Sequence, residues 1–93
     1  MATTDALRLF GARVRELRHE RGYSQERLAE LAGLHRNYVG DVERGVRNAG
    51  LLNVLHLANA LDVLPAELLR PFSKQVMKRL PSVSDRPSRR DER

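Results

Sequence analysis

A chain of 93 residues has room for one modest hydrophobic core and no second one. It has no cysteine, which excludes a disulfide framework and a thiolate metal site. No apolar run approaches the ~20 residues of a membrane span, and the opening Met1-Ala2-Thr3-Thr4-Asp5 lacks the basic patch and apolar block of a signal peptide. The formal charge of +5 is uneven, because the first 69 residues hold nine basic and nine acidic side chains and the whole excess lies beyond them. Local layout rather than overall charge must therefore point to a partner.

Periodicity predicts an all-α chain. A first helix runs from about Ala6 to Arg21, capped by Thr4 or Asp5, with Leu7, Phe10, Val14 and Leu17 on one face; Gly22 stops it. Ser24 caps a second helix over about Gln25 to Ala32, whose stripe is Leu28, Ala29, Leu31 and Ala32. Gly33 ends that helix at a position requiring left-handed backbone. A third helix covers about Arg36 to Arg44, with Leu34, Val39 and Val42 resuming the apolar pattern, and Gly45 closes it. After a loop from Val46 to Gly50, a fourth helix spans about Leu51 to Leu61, with Leu51, Val54, Leu55, Ala58 and Leu61 inward. A fifth begins near Pro65, a residue suited to the first helical turn, carries Leu68 and Leu69, and is broken by Pro71. Ser73 to Leu80 supports one or two further amphipathic turns. From Pro81 onward Ser, Pro and Arg dominate and nothing apolar recurs, which predicts disorder. The domain reading is 1–72 for the folded unit and 73–93 for a partly disordered extension.

The stretch from Ser24 to Gly45 holds the strongest signal. Two short helices are joined by one glycine, and small Ala29 sits where steeply crossing helices approach closely. This is the pattern of a helix-turn-helix, and it points to DNA. Two charges fall on apolar stripes: Arg18 lies four residues after Val14, and Glu43 four after Val39. An unpaired buried charge costs several kcal/mol, so the economical expectation is a bidentate Arg18–Glu43 pair fixing the third helix to the first. Snorkelling of both to solvent is the alternative.

Residues 11 to 69 resemble the Cro/repressor-type (XRE-like) helix-turn-helix family. The matching positions are Arg18, Ser24-Gln25, Leu28-Ala29, Ala32-Gly33-Leu34, Tyr38-Val39, Val42-Glu43-Arg44-Gly45, Arg47-Asn48, Leu51, Leu57-Ala58 and Leu61. Short stand-alone members similar to this chain include restriction–modification controller proteins and small phage-type repressors. The resemblance implies a compact five-helix, lambda-repressor-like DNA-binding domain, a buried Arg–Glu pair at Arg18 and Glu43, and a homodimer on a two-fold symmetric operator in double-stranded DNA.

On that frame the leading end of the third helix enters the major groove, where each base pair shows a distinct pattern. Arg36, Asn37, Gly40 and Asp41 are the expected base-contacting positions: Arg36 bidentate to guanine, Asn37 to adenine, Asp41 accepting from cytosine or orienting Arg36, and Gly40 letting backbone approach the bases. Gln25 at the start of the second helix is the phosphate ligand the resemblance implies, with Tyr38, Arg44, Arg47 and Asn48 as further backbone clamps. Plain alternatives stand beside these. The alternative for Arg36 and Asn37 is an ordinary solvated side chain, for Asp41 a helix-surface carboxylate, for Tyr38 packing on the second helix, and for His35 a poor cap.

Neither a catalytic constellation nor a phosphate loop is present, and His19 and His56 lack ligand spacing, so no enzyme, metal or cofactor is expected. Leu64, Leu68, Leu69 and Phe72 offer a dimer interface, unless all of them close the monomer core. The tail adds nonspecific phosphate attraction or serves only as a solubilising extension. The expected setting is cytoplasmic, on the nucleoid of a bacterium or phage-bearing host. Two functions remain: a homodimeric transcription regulator, or an antitoxin-like protein-interaction module with secondary DNA binding. Contacts to a toxin or a polymerase are unassigned.

Overall fold

The computed structural model describes residues 2–80. Among these the regular structure is all helix: α1 (Thr3–Glu20), α2 (Gln25–Ala32), α3 (Arg36–Glu43), α4 (Leu51–Ala60), α5 (Pro65–Leu68) and α6 (Lys74–Met77). The extension expected to be disordered from Pro81 lies outside the described residues. None of the described helices is long and apolar enough to cross a membrane.

The helices begin and end for identifiable reasons. Ser24 Oγ accepts from the Arg27 N–H at 2.9 Å and caps α2, and Ser73 Oγ caps α6 from the Val76 N–H. Gly33 stands at φ 71°, ψ 29°, and the Leu34 N–H donates back to the Ala29 carbonyl at 2.9 Å. That left-handed step turns the chain from α2 into α3. One cap differs from expectation. Helix α1 starts at Thr3 with Ala2 in the cap position, and Asp5, inside the first turn, accepts from the Ala2 N–H at 3.0 Å. Asp5 therefore serves from the third helical position, as in half of a capping box.

The core is one cluster. Val14, Leu28, Val39, Val42, Leu57, Leu61 and Leu68 are almost wholly buried, with Phe10, Leu17, Ala29, Ala32 and Ala58 around them. Each large side chain stabilises the fold by about 1.5–3 kcal/mol on burial. Helix α1 packs on α3 and α5, α2 packs on α3 and α4, and α4 packs on α5. Two arginines strap the outside. The Arg13 Nε donates to the Glu67 carbonyl at 2.8 Å, tying α1 to α5. Arg21 donates to the Leu61 and Asp62 carbonyls at 2.8 and 3.1 Å, closing the exposed end of α4.

Two sequence expectations are corrected. The buried stripe of α4 consists of Leu57 and Ala58, continued by Leu61 and half-buried Val54, whereas Leu51 and Leu55 are exposed. The helix is apolar on most of its circumference, so periodicity alone does not set its phase. Leu68 is fully buried in the monomer and is not available to a partner, because α5 is only one turn long and must seat that side chain to pack at all.

Nothing in the sequence pattern singles out Gly11, yet it sets how closely α1 approaches α3. A Cβ there would lie 2.6 Å from the Glu43 carbonyl oxygen and closer still to that of Val42. Glycine lets the backbone of α1 pass directly against the last turn of α3. Gly45, at φ 74°, does the same beside the backbone of Arg8. The third helix is thus seated on α1 partly through direct backbone contact.

Candidate nucleic-acid interface

The third helix is locked from behind. Arg18 donates to Glu43 in a bidentate pair, Nε to Oε2 at 2.6 Å and Nη2 to Oε1 at 3.0 Å. The two side chains are 10% and 3% exposed, so neither snorkels to solvent. The remaining Arg18 Nη1 donates to the Tyr23 carbonyl at 2.9 Å, and the Gln25 Nε2 donates to Glu43 Oε1 at 3.0 Å. Among the described residues no buried side-chain polar atom lacks a partner, the condition under which a buried ion pair is tolerable. The network joins α1, the turn before α2, the first residue of α2 and the last of α3.

In front, the first turn of α2 and the outer side of α3 enclose an open groove. Gln25, Arg36, Asn37, Gly40, Asp41 and Arg44, six of the nine residues expected to meet DNA, line it together with Ser24 and Glu26. Arg36 and Asn37 occupy the leading turn of α3 and are exposed. His35 is a working cap for that turn: its Nδ1 accepts from the Asn37 N–H at 3.0 Å. An imidazole nitrogen supplies the acceptor that a Ser or Asp oxygen supplies elsewhere.

Gly40 is not presented to solvent, contrary to expectation. It is buried beneath the side chains of Gln25 and Arg44; a Cβ would lie 3.3 Å from Arg44 Nη1 and 3.6 Å from Gln25 Oε1. Its bare backbone is the floor on which a polar amide and a guanidinium converge. Asp41 does not orient Arg36 either. Its carboxylate pairs with Arg44 one turn on and with Arg47 Nη2 at 3.6 Å. Arg36 instead donates to Glu26 on α2, Nη1 to Oε2 at 3.1 Å.

Tyr38 and Arg47 form a second assembly beside the groove. The Arg47 guanidinium carbon stands 5.1 Å from the centroid of the Tyr38 ring, a cation–π separation. The Tyr38 hydroxyl accepts from Asn53 Nδ2 on α4 at 2.8 Å, leaving its own O–H to donate outward. Tyr38 thus reaches α4 rather than merely resting on α2. Asn48 is not gathered with the rest. It borders a separate apolar hollow shared with Leu7, Phe10, Leu69 and Phe72.

Glu26 and Asn53 join the site without any signal in the sequence. Glu26 lies ten residues before its partner Arg36, and Asn53 fifteen after Tyr38. No periodicity links positions on different helices, so only the fold brings them together.

Comparisons with known proteins agree with this geometry. The profile described as helix-turn-helix matches residues 14–68. The control protein C.BamHI of Bacillus amyloliquefaciens is 47% identical over 62 residues, 66% of this chain and 76% of that protein. The control protein C.SmaI of Serratia marcescens is 43% identical over 65 residues, 70% and 77% of the respective chains. Among solved structures, the restriction–modification controller protein C.AhdI from Aeromonas hydrophila superposes with a TM-score of 0.68 at 59% identity, covering 69% of this chain and 97% of that one. Fold, locked third helix and matched span agree: the chain belongs to the helix-turn-helix family of DNA-binding transcription regulators.

Proposed function

We propose that the protein is a homodimeric regulator that occupies a two-fold symmetric operator, with the leading end of α3 in the major groove. Its similarity to control proteins C.BamHI and C.SmaI and to the controller C.AhdI supports a role in setting expression within a restriction–modification system. The observation that carries the reading is the exposed Arg36–Asn37 turn. It stands beside the start of α2, on a helix that the Arg18–Glu43 pair and the Gly11 contact hold rigid. A base-reading element must keep its geometry within a fraction of an ångström for bidentate contacts to form.

In this reading Arg36 and Asn37 read base edges. Gln25 and Arg44, which meet over Gly40, take one phosphate, aided by the positive end of the α2 dipole. Arg47, stacked on Tyr38, takes another together with the Tyr38 hydroxyl, and Asn48 touches the backbone at the rim. Such contacts set register and salt dependence without reading sequence.

Exposed leucines on α4 and ahead of α5 support dimerisation. Leu51 and Leu52 on α4 and Leu64 ahead of α5 are 70–73% exposed. Leu55 and Leu69 are partly so, and Phe72 borders the apolar hollow. A dimer on a two-fold operator needs its two α3 helices about 34 Å apart, one turn of DNA. A gel-shift titration against the DNA upstream of the gene tests the reading. Binding should be tight, and it should survive competitor DNA. No shift on that DNA, together with no sequence enrichment from a random pool, would remove the proposal.

A further inference from the structure

The exposed arginines in and beside the groove do not stand free. Arg44 and Arg47 both pair with Asp41, and Arg36 pairs with Glu26. Asp41 is the more deeply set of the two carboxylates, its side chain 28% exposed against 74% for Glu26. It has two cationic partners, one of which is also fixed over the Tyr38 ring. A carboxylate in the middle of a phosphate-binding surface opposes binding twice. It occupies the guanidinium groups that phosphates need, and its own charge repels them. The folded body compounds this, since its first 69 residues sum to zero charge.

We propose that Asp41 is an internal counterion that limits the affinity of this protein for DNA: Arg44 and Arg47 must release it before they can hold phosphate. The inference rests on the DNA-binding reading and assigns Asp41 a role other than base recognition. An arginine that exchanges a carboxylate for a phosphate releases cations from the DNA but leaves a carboxylate that regains one from solution. Net counterion release per phosphate held therefore falls below the ordinary ~0.9. The same penalty falls on every duplex, whatever its sequence. The consequence is a regulator whose occupancy stays responsive to its own concentration instead of saturating on bulk DNA.

The test uses the full chain and two probes: a short duplex selected by the wild-type protein from random DNA, and a random-sequence duplex of equal length. Binding is measured by fluorescence anisotropy over a range of potassium chloride concentrations, with circular dichroism confirming that each variant is folded. Asp41→Asn should tighten binding to both duplexes about tenfold in total, the sum of small exposed ion pairs over two subunits. It should also steepen the salt slope by about 1 per subunit and leave the selected motif unaltered. Asp41→Glu, which keeps the charge, should behave as wild type. In an Arg44→Gln/Arg47→Gln background the gain from Asp41→Asn should shrink to the part owed to direct repulsion of phosphate, and a gain as large as in the wild-type background would overturn the counterion role. Unchanged affinity and slope in Asp41→Asn would overturn the proposal. So would weaker binding confined to the selected duplex with altered preference at one base pair, because that is the behaviour of a base contact. If the wild-type protein enriches no duplex from random DNA and does not bind the random-sequence probe, the DNA-binding reading itself fails and the proposal with it.

Discussion

Replacing Glu43 by alanine probes the joint on which the recognition helix depends. In the folded protein its side chain is 3% exposed and receives both Nε and Nη2 of Arg18. Removing it leaves Arg18 facing the Tyr23 carbonyl without its carboxylate, and leaves Gln25 without the Glu43 acceptor. Breaking one side of a buried pair costs about 3–5 kcal/mol, mostly the desolvation of the abandoned charge. A domain of this size is stable by only about 5–10 kcal/mol. At about 4–8 °C per kcal/mol, the midpoint of thermal unfolding should fall by roughly 12–40 °C. The assay is urea and thermal unfolding followed by circular dichroism at fixed protein concentration, since a dimer gains stability by mass action. Arg18→Met should cost less than Glu43→Ala, because it leaves a carboxylate that still accepts from Gln25. The double variant Arg18→Met/Glu43→Leu should recover most of the loss or exceed wild type, because two apolar side chains need no solvation. A loss under about 1 kcal/mol for Glu43→Ala, or additive losses in the double variant, would refute the reasoning, since additivity means the two groups do not interact.

Gly11→Ala should destabilise by about 1–3 kcal/mol despite the ~1 kcal/mol gain in helix propensity, with amide NMR shifts concentrated at Val42 to Gly45, because its Cβ meets carbonyl oxygens of the α3 backbone. Arg21→Ala should cost about 1–2 kcal/mol in urea unfolding by stripping the Leu61 and Asp62 carbonyls of their donor. Gln25→Ala and Arg47→Ala should weaken binding to every duplex alike, and Arg47→Ala should also flatten the salt slope, by less than the ordinary ~0.9 per subunit because Asp41 already neutralises part of its charge. Leu52→Lys should leave the monomer folded while shifting sedimentation towards the monomer, because Leu52 is 70% exposed and takes no part in the core.

Legibility varied with the kind of interaction. Helices α2 and α3 and the Gly33 step were readable to within a residue, since caps, glycine and apolar spacing all act within one turn of chain. The Arg18–Glu43 pair was readable too, because a charge on an otherwise apolar stripe must find its opposite. The bounds of α4 were equally readable but its inward face was not, because leucines on several faces satisfy more than one phase, and the choice is made by what α2 and α5 present to it. Gly11 reads as a mere weak point in a helix until α3 is laid against it. The pairing of Asp41 with Arg44 and Arg47, and of Arg36 with Glu26, depends on rotamers at a surface. No pattern of residue types encodes those. Leu68 shows the same limit from the other side: an apolar residue on a short terminal helix suits a core and an interface equally.

The claim beneath the functional reading is that the leading turn of α3 reads base edges. Selection of bound sequences from a random duplex pool, run in parallel with wild type and Arg36→Ala, tests it most directly. Wild type should enrich a two-fold symmetric motif with half-sites about one helical turn apart. Arg36→Ala should lose preference at one base pair in each half-site, with about 1–3 kcal/mol of discrimination gone there. An identical motif from both proteins, or no motif from either, would contradict it.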